Sequence, residues 1–171
     1  MSHSSPQQSA MRKGPFILGT LRDTDVYWMQ TIGKTEQIPA GTVIIAEGTP
    51  LNTFYIVLLG TLSVSVAAQD HREIARLGIG EVLGEMSFVD ARLSAAQVTT
   101  LENSLLLSIP HQKLALKLEE DEGFASRFYR AIAMFLSSRL RSAVVQFDSS
   151  DSALSDSALE SPLNNSPATS A

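Results

Sequence analysis

At 171 residues the chain holds one domain's worth of sequence. It has no cysteine and a formal net charge of −5, which excludes disulfides, thiolate catalysis and thiolate metal sites and gives a poor background for a nucleic-acid binder. No apolar run approaches the roughly 18 residues of a membrane span, and Met1 to Met11 lacks the apolar core of a secretory signal. A cytoplasmic protein touching neither membrane nor nucleic acid is the expectation.

Residues 1–14 are rich in Ser, Gln and His without periodicity and read as a disordered leader. The domain is expected over residues 15–147. Asp23-Thr24-Asp25 is an N-cap cluster for a short helix carrying Val26, Trp28, Met29 and Ile32, with Gly33 placed to stop it. From Thr35 the rhythm changes to short β-type runs with turn punctuation. Ile38-Pro39-Ala40-Gly41 is a turn, Thr42 to Ile45 a β-branched strand, and Glu47-Gly48-Thr49-Pro50 a second turn. Phe54 to Leu59 is the strongest strand and closes at Gly60. Leu62 to Val66 alternates apolar and polar, as a strand with one face in a core does. A tip at Gln69-Asp70-His71 leads into Ile74 to Leu77. Further strands fall at Gln97 to Leu101 and Leu105 to Ile109. Many short strands, each ended by a turn, imply a small antiparallel barrel or jelly roll, so the fold class is mainly β with flanking helices.

After Pro110 the period becomes helical. A short helix is expected from His111 to Glu119, a break at Glu120 to Gly123, and a long helix from about Phe124 to Phe147. Phe124, Phe128, Ile132, Phe135, Leu136, Leu140, Val144 and Phe147 fall at steps of three and four and form one apolar stripe. Such a helix is roughly 35 Å long, more than a small barrel covers, so its far half is expected to pack on something else. Arg127, Arg130, Arg139 and Arg141 are assigned to its solvated face. Residues 148–171 are polar and acidic and read as a disordered tail.

Between the strands lies the stretch around which the chain is organised, Gly84-Glu85-Met86-Ser87-Phe88-Val89, a small loop, then Ser94-Ala95-Ala96-Gln97-Val98. A glycine lets backbone approach a ligand closely, and a helix start exposes unpaired N–H groups to an anion. With Pro39-Ala40-Gly41 and Tyr55 to Gly60 in the same order and spacing, these residues resemble the cyclic-nucleotide-binding domains of catabolite activators and kinase regulatory subunits, over residues 16–141. The resemblance implies an eight-stranded antiparallel β-roll with an N-terminal helix and a long C-terminal helix. It matches Gly84 to the glycine whose amide faces a cyclic phosphate and Glu85 to the glutamate that holds the ribose 2′-hydroxyl. Met86, Ser87, Ala95 and Ala96 fit the surrounding pattern.

The chain departs from the family where the phosphate is read. Leu93 stands at the family's proline, Ser94 at its phosphate-binding arginine and Gln97 at its threonine. Truncating one partner of a buried hydrogen-bonded charge pair costs about 2–5 kcal/mol. A non-catalytic regulatory module with weak or no binding of cAMP or cGMP is therefore the expectation. Arg92, two positions before Ser94, is read as a solvated loop arginine; the alternative is a working sensor that holds ribose with Glu85 and reads phosphate through Arg92 or backbone amides. The family's C-terminal helix implies a homodimer through Phe128, Ile132, Phe135, Leu136, Leu140 and Val144, with a further protein partner open. The stretch after the helix is short, acidic and polar, so the basic helix-turn-helix that DNA-binding members of the family carry is not expected in it.

Other patterns carry less. Gly78-Ile79-Gly80 lacks the spacing and βαβ setting of a dinucleotide loop. His3, His71 and His111 are not at ligand spacing, and no nucleophile elbow accompanies the serines, so neither a metal, a resident cofactor nor a catalytic residue is expected.

Overall fold

The computed structural model describes residues 19–157, with side chains described as far as residue 145. The expected leader, residues 1–14, and residues 158–171 of the expected tail lie outside that range. Two units follow one another along the chain, one ending at Phe135 and one beginning at Leu136.

The first unit opens with α1 (Asp23–Ile32). The Arg22 backbone N–H donates to Asp25 Oδ2 at 2.9 Å, closing the first turn, and Met29 buries the helix's inner face completely. Eight strands follow: β1 (Lys34–Ile38), β2 (Val43–Ile45), β3 (Thr53–Leu59), β4 (Leu62–Ser65), β5 (Glu73–Leu77), β6 (Val82–Leu83), β7 (Gln97–Thr100) and β8 (Ser104–Pro110). They form two antiparallel sheets, in the orders β1-β8-β3-β6 and β2-β7-β4-β5.

The pairing is nested. β1 lies against β8, β2 against β7, β3 against β6 and β4 against β5. The chain is thus one long hairpin, turned at a 3-10 segment (Ala67–Gln69) and rolled up, with β3–β8 and β4–β7 pairings closing the roll. The turn expected at Gln69-Asp70-His71 is its tip, where Asp70 and His71 take left-handed backbone at φ 54° and 56°.

Between the sheets sits a core of Ile45, Val57, Leu62, Val64, Leu77, Leu83, Val98 and Leu106. The alternate residues of β3 and β8, Phe54, Ile56, Leu107 and Ile109, are equally buried. A sheet buried on both faces needs a second cover, and helices supply it. α3 (His111–Glu120) and the start of α4 (Glu122–Ser157) carry Leu114, Leu118, Phe124 and Phe128 to that side, and Phe54 meets the Phe128 ring at 5.7 Å. Asp121 separates these two helices and caps the second, its Oδ1 accepting from the Phe124 N–H at 2.9 Å.

Two expectations about the long helix need correction. Arg127 is not on a solvated face: its Nε and Nη2 donate to Asp25 Oδ2 and Oδ1 at 2.7 and 2.8 Å, a two-pronged ion pair joining α4 to α1. Burial pushes the Asp25 carboxyl up, but the Arg127 guanidinium and the Arg22 N–H outweigh it and hold the group below its ordinary value. Phe128, Ile132 and Phe135, assigned to an interface, are buried at 0, 3 and 2% exposure as part of the first unit's own core. In the second unit Leu140 and Val144 are 66 and 59% exposed, beside Val145 at 65%, and Leu136 is half-buried. The backbone stays helical past Phe147, to Ser157.

Candidate functional site

Strand β6 buries both of its residues and stops at Gly84, whose backbone is left-handed at φ 82°. A Cβ here would lie 2.7 Å from Leu51 Cδ2 and 2.7 Å from the Thr53 carbonyl oxygen, so position and conformation both demand glycine. The short helix α2 (Glu85–Asp90) follows, its first hydrogen bond running from Phe88 N–H to the Gly84 carbonyl at 3.0 Å. Glu85 is 6% exposed and stands in the first turn, where a carboxylate meets the positive end of the helix. Met86 is half exposed and Ser87 partly buried.

At Ala91, left-handed at φ 55°, the helix ends and its N–H donates to the Ser87 carbonyl at 3.1 Å. The Arg92 backbone N–H donates to Asp90 Oδ1 at 3.0 Å, while the guanidinium is 84% exposed and comes no nearer the Asp90 carboxylate than 3.9 Å. Arg92 is a loop cation with a loose partner.

Ser94 is held quite differently. It is 7% exposed, and its hydroxyl donates to the Thr49 carbonyl at 2.9 Å. Its backbone N–H shares that acceptor at 3.0 Å, and its carbonyl accepts from Gly48 N–H at 2.8 Å. Three hydrogen bonds lash the loop to the turn between β2 and β3. The one donor that serine offers is already engaged with backbone. Ala95 is exposed, and Ala96 packs against the inter-sheet core before β7 begins.

Behind α2 lies a cluster that sequence reasoning did not assemble. The Phe88 ring meets Phe54 of β3 at 6.4 Å, Phe128 of α4 at 5.9 Å and the His111 imidazole of α3 at 5.0 Å, each edge to face. Phe124 extends it, 5.8 Å from Phe128 and 5.5 Å from Trp28 of α1. These residues are far apart in the chain, and no periodic pattern marks them as neighbours. Burial pushes the His111 imidazole below its ordinary value, against a hydrogen bond to the Thr53 backbone that pulls the other way.

Among the described residues no group of three His, Cys, Asp or Glu could hold a metal ion, and no helix is long and apolar enough to cross a membrane.

The family model for the cyclic nucleotide-binding domain matches residues 35–121. No curated protein matches the chain. Solved structures do. The N-terminal domain of a transcriptional regulator from Streptomyces coelicolor A3(2) is 25% identical, over 78% of this chain and 93% of that one, with a TM-score of 0.63. The catabolite activator protein of Thermus thermophilus is 25% identical, over 81% of this chain and 62% of that one, with a TM-score of 0.61. A cyclic nucleotide-binding domain from Methylobacillus flagellatus KT, 18% identical over 81% of this chain and 78% of that one, reaches a TM-score of 0.71 and so shares the fold.

Proposed function

The chain belongs to the cyclic nucleotide-binding domain family, and we propose that it is a non-catalytic regulatory module whose response to cAMP or cGMP is weak or lost. The single observation that carries this reading is Ser94. At the family's phosphate-reading position stands a short, uncharged side chain that is buried and bonded to the Thr49 carbonyl. A cyclic phosphate would find backbone amides there but no cation, and the loss of a buried charge partner weakens binding by roughly 30-fold to a few thousandfold. The left-handed Gly84 and the buried Glu85 in the first turn of α2 support a retained ribose-holding half.

Output then runs through protein contacts. Exposed Leu140, Val144 and Val145 make an apolar strip on the second unit, suited to a second copy of the chain or to another protein helix. The aromatic cluster supplies the link inside the first unit: any displacement of α2 moves Phe88 against Phe128 and so against the start of α4.

A second reading rests on Arg92. Its guanidinium is exposed and loosely paired, free to turn inward if a phosphate were to recruit it. In that case the protein is a working cyclic-nucleotide sensor, with Glu85 on the ribose and Arg92 on the phosphate. Calorimetric titration of the purified chain with cAMP and cGMP decides between the two. Binding no tighter than near-millimolar supports the degenerate module. Low-micromolar binding overturns it, and its abolition by Arg92→Ala would establish the sensor.

A further inference from the structure

The aromatic cluster behind α2 contains one group that can take up a proton. His111 is the first residue of α3, and its ring meets Phe88 of α2 at 5.0 Å, edge to face. The imidazole bonds to the Thr53 backbone, while its Nε2 is buried with no hydrogen-bond partner. The Thr53 bond therefore falls to the Nδ1–H, and Nε2 carries the lone pair of a neutral ring.

Three features oppose a proton on that nitrogen. A new N–H would find no acceptor. The charge would be held away from water. It would also stand at the start of α3, the positive end of that helix. The titratable side chains on the elements around the ring are Glu85 and Asp90 on α2, Arg92 beyond it, Tyr55 on β3, and Lys113, Lys117, Glu119 and Glu120 on α3. None of their charges is among the causes of the low His111 value, which are burial, opposed by the Thr53 bond.

We propose that His111 is an acid-sensitive latch on the cassette: a proton taken from solvent onto Nε2 drives the ring out of the cluster and frees α2 to move. Phe88 is then held by Phe54 and Phe128 alone, at 6.4 and 5.9 Å, so the short helix loosens while the roll stays folded. Through Phe128 the motion reaches the start of α4. The device needs no nucleotide and stands whether or not the cassette binds one. In the released state the imidazole is hydrated and titrates at its ordinary 6.5, whereas the latched state refuses the proton. The released population therefore grows as pH falls through that value, by at most about tenfold per unit.

The test is relaxation-dispersion NMR on the full chain without nucleotide, from about pH 7.5 to about pH 5.5. Amides of α2 and of the first turn of α3 should exchange with a minor state whose population rises by about two- to tenfold across that range. Amides of the β4–β7 pairing should show no such exchange. His111→Phe, which keeps a ring there, and His111→Gln, which keeps a neutral polar group, should each hold the minor population constant over the same range. Absence of a minor state, a population that ignores pH, or equal pH dependence in either variant would overturn the proposal. Exchange spread through β4 and β7 alike would mean opening of the whole roll and would overturn it too. Because no nucleotide is present, each of these outcomes leaves the reading of Ser94 untouched.

Discussion

Replacing Ser94 by arginine tests whether the proposed loss of nucleotide response comes from one missing charge or from the shape of the cleft. In the free protein, Ser94→Arg removes the hydroxyl bond to the Thr49 carbonyl, worth about 1 kcal/mol. The two backbone bonds of this residue, at 2.8 and 3.0 Å, do not depend on the side chain. The variant should therefore fold, with a melting temperature lower by about 2–4 °C for a chain of this size. If the remaining cleft is intact, the new guanidinium contributes about 2–5 kcal/mol to cyclic-phosphate binding, a gain of roughly 30-fold to a few thousandfold. Two measurements then move in opposite directions. The variant melts below the parent protein alone and above it with saturating nucleotide, because ligand at a hundred times its Kd adds about 2.7 kcal/mol. Calorimetry with cAMP and cGMP gives the affinities, and Ser94→Ala is the control that loses the hydroxyl without gaining a charge. A folded Ser94→Arg protein that binds no better than its parent would refute the reasoning.

Further outcomes follow from other residues. Gly84→Ala puts a methyl group against Leu51 and the Thr53 carbonyl in left-handed backbone, and should cost about 2–4 kcal/mol in urea unfolding; an unchanged midpoint would remove the packing argument. Asp25→Asn breaks the two-pronged contact with Arg127 and should cost about 2–4 kcal/mol, read as a lower denaturation midpoint at unchanged slope. Acid should destabilise the fold in two steps. His111, depressed when folded, gives a first loss below its ordinary 6.5, where the unfolded chain takes a proton that the folded chain refuses. Asp25, also depressed, gives a second loss below its ordinary 3.8. His111→Phe should erase the upper step alone, as followed by urea midpoints across pH. Leu140→Glu with Val144→Glu, at exposed positions, should convert a dimer to a monomer in light scattering; a parent protein already monomeric at high concentration would end the self-association proposal.

Much of the roll was legible because its strands carry strong local signals. Val43 to Ile45 and Phe54 to Leu59 are β-branched or aromatic runs bounded by Gly and Pro, and the glycine before Glu85 is required by a backbone that no other residue adopts cheaply. The two-residue strand β6 was not legible, since Val82–Leu83 is too short to show a period. The apolar stripe of the long helix was read correctly as a stripe and wrongly as one surface. Periodicity tells which residues share a face but not what covers it, and Phe128, Ile132 and Phe135 turned out to be buried within the first unit. The fate of Ser94 and of Arg127 was hidden for a different reason. Each is decided by a partner distant in sequence, Thr49 and Asp25, and such contacts leave no local pattern.

The nested hairpin has one more consequence, for how the chain acquires its shape and how the cassette can change. β4 and β5 meet across a short turn, whereas β1 must find β8 from opposite ends of the roll. Zipping outward from that tip offers the smallest loop to close at every step, though a topology so rich in distant pairings still folds slowly. The cassette, strung between β6 and β7, is a detour on the returning arm of this zipper. A detour can change its residues while the rungs on either side stay in register, so what the loop displays can vary while the scaffold holds.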